Sequence, residues 1–100
     1  MYYKKYEDFT LAISNLNKAI ELQHDFIDAY INLGNIFLHL KDTKSAILSY
    51  TKAIQIDSTI PELHFNYGKA CVESGNIKLA KDCYERAILI KPDFIEAYTN

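Results

Sequence analysis

Asp25-Phe26-Ile27-Asp28-Ala29-Tyr30 returns as Asp93-Phe94-Ile95-Glu96-Ala97-Tyr98, 68 residues further along the chain. Half that distance is the underlying period. A shift of 34 places Asn32-Leu33-Gly34 on Asn66-Tyr67-Gly68, and Asn66 on Asn100. The same shift aligns Ala12 with Ala46 and Ala80, Leu16 with Tyr50 and Tyr84, and Ala19-Ile20 with Ala53-Ile54 and Ala87-Ile88. A repeat of this size marks a solenoid, in which each unit buries its apolar face on the next because it cannot bury it alone.

Each unit reads as two helices. In Ala46-Ile47, Tyr50 and Ala53-Ile54 the apolar residues recur at helical spacing and not at the strand period of two. The pattern predicts helices over 8–22, 26–40, 42–56, 60–74 and 76–90, with another starting at 94. Asp25, Thr59 and Asp93 each have an acid three residues on (Asp28, Glu62, Glu96), the arrangement of an N-cap followed by a carboxylate in the first turn. Asp8, Asp42 and Asn76 are the corresponding N-cap candidates for the other helix of each unit. Pro61 is expected in a first turn and Pro92 just beyond a helix end.

Composition agrees with an all-α chain. Of 100 residues, 49% are hydrophobic and 24% charged, which supports a packed core and argues against disorder. Three Gly and two Pro are too few for a barrel or sandwich of many short strands. A net charge of −2 offers no broad basic face, so neither nucleic acid nor a membrane surface is an expected partner. Two cysteines make no disulfide framework and suit a reducing compartment. With no apolar stretch at the N-terminus, the expected location is cytoplasmic.

The pattern resembles the tetratricopeptide repeat, a 34-residue helix–turn–helix unit. Residues 27–60 carry Tyr30, Leu33, Gly34, Phe37, Ala46, Tyr50 and Ala53 at the signature positions, and 61–94 carry His64, Tyr67, Gly68, Cys71, Ala80, Tyr84, Ala87 and Pro92. Residues 1–26 are similar to the rear of a repeat and 95–100 to the front of another, so the likeness covers the whole chain as a single array. His64, Cys71 and Ser58 depart from the family's preference for larger side chains or proline. The resemblance implies an α-solenoid of antiparallel helix pairs, with two full repeats flanked by two partial ones. Both ends read as open, as in a piece of a longer array or a very small truncated member, with residues 1–6 as the remnant of a first helix.

In such arrays the first helices of successive units line a concave groove. The resemblance therefore places a peptide-binding face at Ile31, Asn32, Asn35, Leu38 and His39 from one unit and at Phe65, Asn66, Lys69, Val72 and Glu73 from the next. Asp28 and Glu62 lie on the same surface, where an acid in the first turn is also explained by capping, and Lys4 and Lys5 would reach it from the N-terminal fragment and Asn100 from the C-terminal one. Asn32, Asn66 and Asn100 would form a ladder one repeat apart, each amide able to pair with a peptide unit. That ladder is similar to the one in sugar-transferring enzymes that act on Ser/Thr. Ile31, Leu38, Phe65 and Val72 would add an apolar stripe. Asn35 and Asn66 also match a clamp that grips chaperone tails by two carboxylates, but its cationic positions hold Ile31, Glu96 and Asn100.

No catalytic constellation accompanies these residues. His24, His39 and His64 do not converge, and Cys71 and Cys83 stand twelve apart on different helices. No enzyme activity, metal or cofactor is expected. The reading is a protein-interaction module for a partner peptide. The alternatives are a self-associating segment, stacked head to tail through Tyr2, Tyr3 and Tyr6 against Phe94, Ile95 and Tyr98, and a recruiting region of a larger enzyme such as a glycosyltransferase.

Overall fold

The computed structural model describes the backbone of residues 2–93 and the side chains of 8–93. Five helices follow one another: α1 (Tyr2–Leu22), α2 (Ile27–His39), α3 (Thr43–Ile56), α4 (Pro61–Glu73) and α5 (Ile77–Ile90). No strand occurs among the described residues. Helix α2 packs on α3 and α4 on α5, while α3 joins the two pairs by packing on α4 and α1 leans on α2. Helices α2 and α4 also touch, which sets the first helices of the two units side by side. The result measures 36 × 31 × 22 Å.

The period is written into the core. Ala46, Tyr50 and Ala53 of α3 close on Leu63 and Ala70 of α4. One repeat later Ala80, Tyr84 and Ala87 of α5 close on Phe65 and Cys71 of α4. Small and large residues alternate in both clusters, so the alanines let backbones approach and the tyrosines fill the space between. Tyr30 and Phe37, half-buried, pack on the first cluster. His64, in place of a larger apolar residue, is 3% exposed, and its Nε2 donates to the Ser58 carbonyl at 2.7 Å. Burial of a polar ring is thereby offset by a bond to the loop between the units.

The turns inside the units follow one design. After α2, Lys41 N donates to Leu38 O and Asp42 N to Phe37 O; after α4, Gly75 N donates to Val72 O and Asn76 N to Cys71 O. These are Schellman endings, which need a left-handed residue. Gly75 supplies it at φ 88°, and Lys41 adopts it at φ 66°. Asp42 and Asn76 then cap the next helices, accepting from Ser45 N at 3.3 Å and Leu79 N at 3.2 Å. A left-handed non-glycine residue costs roughly 1–2 kcal/mol, partly matched by the backbone entropy that glycine loses. Lys41→Gly is therefore expected to stabilise the fold by up to about 1 kcal/mol, seen as a higher Tm. A lower Tm would refute the account, since the exposed Lys41–Glu73 ion pair contributes little.

Three expectations about helix starts are corrected. Asp25 and Thr59 do not cap α2 and α4. The N-cap residues are Phe26 and Ile60, neither with a side-chain cap bond. Ile60 packs on the core, and Thr59 is engaged elsewhere, its N–H and hydroxyl both donating to Asp57 Oδ1. Apolar anchoring thus sets these starts, while Asp28 and Glu62 still place carboxylates in the first turns. Asp8 caps nothing, for it lies inside α1, which runs unbroken from Tyr2. Six residues are too short to hold a separate packed helix, so the segment continues the next one. Pro61 does open α4, and Pro92 does follow the end of α5.

Candidate binding cleft

The contact of α2 with α4 leaves an open cleft of about 370 Å³ that runs from the middle of the two helices to their C-terminal ends. It is lined by Asn35, Leu38 and His39 from α2, Asn66, Lys69 and Glu73 from α4, and Lys41 from the turn after α2. Six of these seven belong to the face expected from the sequence. Lys41 does not, because its left-handed backbone and long side chain bring it in from outside the helix. Its Nζ lies 3.3 Å from Glu73 Oε1.

Polar contacts organise the floor. The Tyr50 hydroxyl donates to Asn35 Oδ1 at 2.6 Å, and Asn66 Nδ2 donates to the same oxygen at 3.2 Å. The ammonium of Lys69 stands 5.6 Å from the centre of the Phe65 ring, a cation–π placement that holds the charge at the rim. His39 meets the ring of Phe9 with centroids 5.3 Å apart, which fixes one wall.

The remaining expected site residues divide. Phe65 is 8% exposed, with its ring 5.6 Å from that of Tyr84, and is core and not ligand surface. Ile31 and Leu38 are half-buried against the seam between units, and Val72 is 44% exposed. Of the expected apolar stripe, Phe65 is thus spent on packing within its own unit and Ile31 on the seam between units, while Leu38 still lines the cleft beside the polar contacts of its floor. The ladder is uneven as well. Asn32 is exposed, whereas Asn66 is half-buried and bonded to Asn35. Asp28 and Glu62 are exposed in first turns. Asn100, Glu96, Phe94, Ile95 and Tyr98, and the side chains of Tyr2, Tyr3, Lys4, Lys5 and Tyr6, lie outside the described residues.

Away from the cleft, Cys71 and Cys83 are both buried free thiols that interact across the α4–α5 interface. Burial pushes both upward, and the neighbouring Cys71 charge helps to carry Cys83 to about 12. A thiol whose folded value is raised contributes stability that is complete below its unfolded value, near 9, and is lost as pH climbs towards 12. The denaturation midpoint is expected to hold from pH 7 to about pH 9 and then fall, less steeply in Cys83→Ala. A midpoint flat to pH 11 would contradict this. No group of three or more His, Cys, Asp and Glu suited to a metal ion occurs among the described residues, and no described helix is long and apolar enough to cross a membrane.

Comparison with known proteins gives the architecture its family. Models described as tetratricopeptide repeat match residues 27–60 and 61–94, and one described as TPR repeat matches 2–41. The chain belongs to the tetratricopeptide repeat family. Human tetratricopeptide repeat protein 12 is 23% identical over 96 residues, covering 93% of this chain and 14% of that protein. The UDP-N-acetylglucosamine–peptide N-acetylglucosaminyltransferase of Giardia intestinalis is 28% identical over 91 residues, covering 91% of this chain and 6% of the enzyme. This tetratricopeptide array thus spans only a small part of the curated relatives it matches. Among solved structures, the first tetratricopeptide domain of Spaghetti (RPAP3), bound to the HSP90 peptide SRMEEVD, superposes with a TM-score of 0.89 at 20% identity, covering 98% of this chain and 78% of that one. At that identity the likeness is one of fold.

Proposed function

We propose that this array is a protein-interaction module that holds an extended partner peptide in the cleft between α2 and α4, without catalysis of its own. The observation that carries the reading is the cleft itself. Two amides, Asn35 and Asn66, meet on its floor, with Lys69, Lys41 and Glu73 at its rim. Amides offer donors and acceptors to a peptide main chain, and such contacts recognise backbone more than sequence. The peptide-bound Spaghetti domain supports the same use of the fold in a protein of similar architecture. The cationic residues of a carboxylate clamp are missing from Ile31, so the proposed ligand is an internal peptide segment and not a chain terminus.

Peptides selected from a random display library on the immobilised chain provide the test. Micromolar affinity is expected, about 8 kcal/mol, for a groove of so few units. Asn66→Ala is expected to weaken such a peptide about three- to ten-fold, by the usual net value of one hydrogen bond. Asn32→Ala, exposed and outside the cleft lining, is expected to change it much less. Affinity unmoved by Asn66→Ala and by Lys69→Ala would remove the cleft from the function.

A further inference from the structure

The two units differ at one place that bears on how the cleft reads a ligand. Tyr50 and Tyr84 are one repeat apart, and each ring covers the glycine of its own unit, Gly34 or Gly68. The residue after each glycine is not conserved between the units: it is Asn35 in the first and Lys69 in the second. Only the Tyr50 hydroxyl therefore meets an amide. Tyr50 is 0% exposed, and its hydroxyl donates to Asn35 Oδ1 at 2.6 Å. The amide of Asn66 donates to the same oxygen from the neighbouring helix.

An amide oxygen has two lone pairs, and both are occupied here. The Asn35 side chain is thereby turned one way, with its carbonyl towards the protein and its two N–H donors left for the cleft, where Asn35 is exposed. Asn66 has given one N–H to Asn35 and keeps its own oxygen, which has no partner among the described residues. The pair thus presents donors at Asn35 and an acceptor at Asn66, the complement of one peptide unit. Burial keeps the Tyr50 hydroxyl protonated well above its ordinary range, so it stays a donor at any physiological pH.

We infer that Tyr50, although out of reach of any ligand, is a positioning residue for the cleft: it fixes the Asn35 amide as a donor to a main-chain carbonyl oxygen of the partner, with Asn66 Oδ1 accepting the N–H of the same peptide segment. This rests on the peptide-cleft reading above and adds an orientation to it, since the carbonyl of the peptide unit held at this pair faces Asn35 of α2 and the N–H faces Asn66 of α4.

NMR on the full chain tests it with two small probes, N-acetylglycine N′-methylamide for the peptide unit and sodium acetate for a carboxylate. In the free protein the Tyr50 hydroxyl proton is expected to exchange slowly enough to be observed and to show a nuclear Overhauser contact to Asn66 Nδ2–H. Titration with the blocked glycine is expected to shift the Asn35 and Asn66 side-chain amide signals saturably. Tyr50→Phe should weaken that response about five-fold while keeping the ring packing, and Tyr84→Phe should leave it unchanged. Contacts from the Asn35 N–H protons to the Tyr50 ring would show the amide facing the other way and overturn the inference, as would an equal response in Tyr50→Phe. Stronger binding of acetate than of the blocked glycine would overturn the carbonyl assignment. Selected peptides that bind the wild type and Tyr50→Phe alike would defeat the positioning role and leave the interaction module standing. A Tyr50-dependent response to the blocked glycine that no selected peptide competes with would uphold the donor site and defeat the peptide reading.

Discussion

Leu63→Ala is expected to destabilise the chain by about 2–5 kcal/mol, the usual cost of emptying a fully buried leucine site. Leu63 is 1% exposed and is packed with Ala46, Tyr50 and Ala53 of the preceding helix and Ala70 of its own. Three of these partners are fully buried alanines, which have no side chain to swing into the void. The position also matters beyond its volume. In a solenoid, stability is the sum of each unit's own folding and the interfaces between neighbours, and Leu63 belongs to the α3–α4 interface that joins the two units. The variant is therefore expected to lose cooperativity as well as stability. Amides of α4 and α5 should exchange through an opening separate from that of α2 and α3, where the wild type opens them together. Leu48→Ala, at a site 64% exposed, is the control and should change stability by less than about 0.5 kcal/mol. A cost below about 1 kcal/mol for Leu63→Ala would show that the interface carries far less than its burial implies.

The same seam explains what the sequence disclosed and what it concealed. The 34-residue register was enough for the fold, because Ala46, Tyr50 and Ala53 recur as Ala80, Tyr84 and Ala87 and occupy equivalent places in the two cores. Asp42 and Asn76 were legible as caps because each precedes an apolar helical run with its side chain free to turn back on the chain. The starts of α2 and α4 were misread by one residue, since side-chain capping and apolar anchoring competed there and a sequence shows the first more plainly than the second. Lys41 was hidden for a related reason. The matching Gly75 announces a left-handed residue, while a lysine takes that conformation only when the packing of two full helices imposes it.

The cleft was half legible. A helix that faces both a groove and the next unit has a wide apolar stripe, and periodicity cannot say where one function ends and the other begins. Ile31 and Phe65 fall on the packing side of that line, Val72 on the exposed side, and Leu38 serves both, packing on the core while it lines the cleft. The Asn35–Asn66 contact did leave a trace. The two are 31 residues apart, one repeat less one helical turn, which is the offset that brings neighbouring first helices into contact. A ladder drawn only at intervals of 34 misses it and groups Asn66 with Asn32, whose surroundings differ.

Gly34→Ala is expected to lower stability although alanine is the better helix former. In an exposed helix interior the substitution gains about 1 kcal/mol. At Gly34 a Cβ would stand against the Tyr50 ring, within 2.6 Å of Cδ1 and 2.8 Å of Cζ, well inside van der Waals contact. The ring has nowhere to retreat. It is 0% exposed, it packs on Ala46, Ala53 and Leu63, and its hydroxyl is held by Asn35. Overpacking of this kind costs about 1–3 kcal/mol, and moving the ring also breaks the bond to Asn35, worth about 1 kcal/mol. The sum outweighs the helix propensity, leaving a net loss of about 1–3 kcal/mol, or roughly 4–24 °C in Tm for a domain of this size. Gly68→Ala meets the same ring position in the second unit but with more room, its Cβ lying 2.7 Å from Tyr84 Cε1 and 3.2 Å from Cζ. Tyr84 is 9% exposed and meets no amide at the residue after its glycine, so it can shift towards solvent. The ranking follows from these differences: Gly34→Ala costs more than Gly68→Ala, and only Gly34→Ala displaces the Tyr50 hydroxyl and disturbs the Asn35 and Asn66 side-chain signals. Equal losses in the two variants would mean that the glycines serve helix approach alone and that the polar contact at Tyr50 adds nothing to the rigidity of its ring.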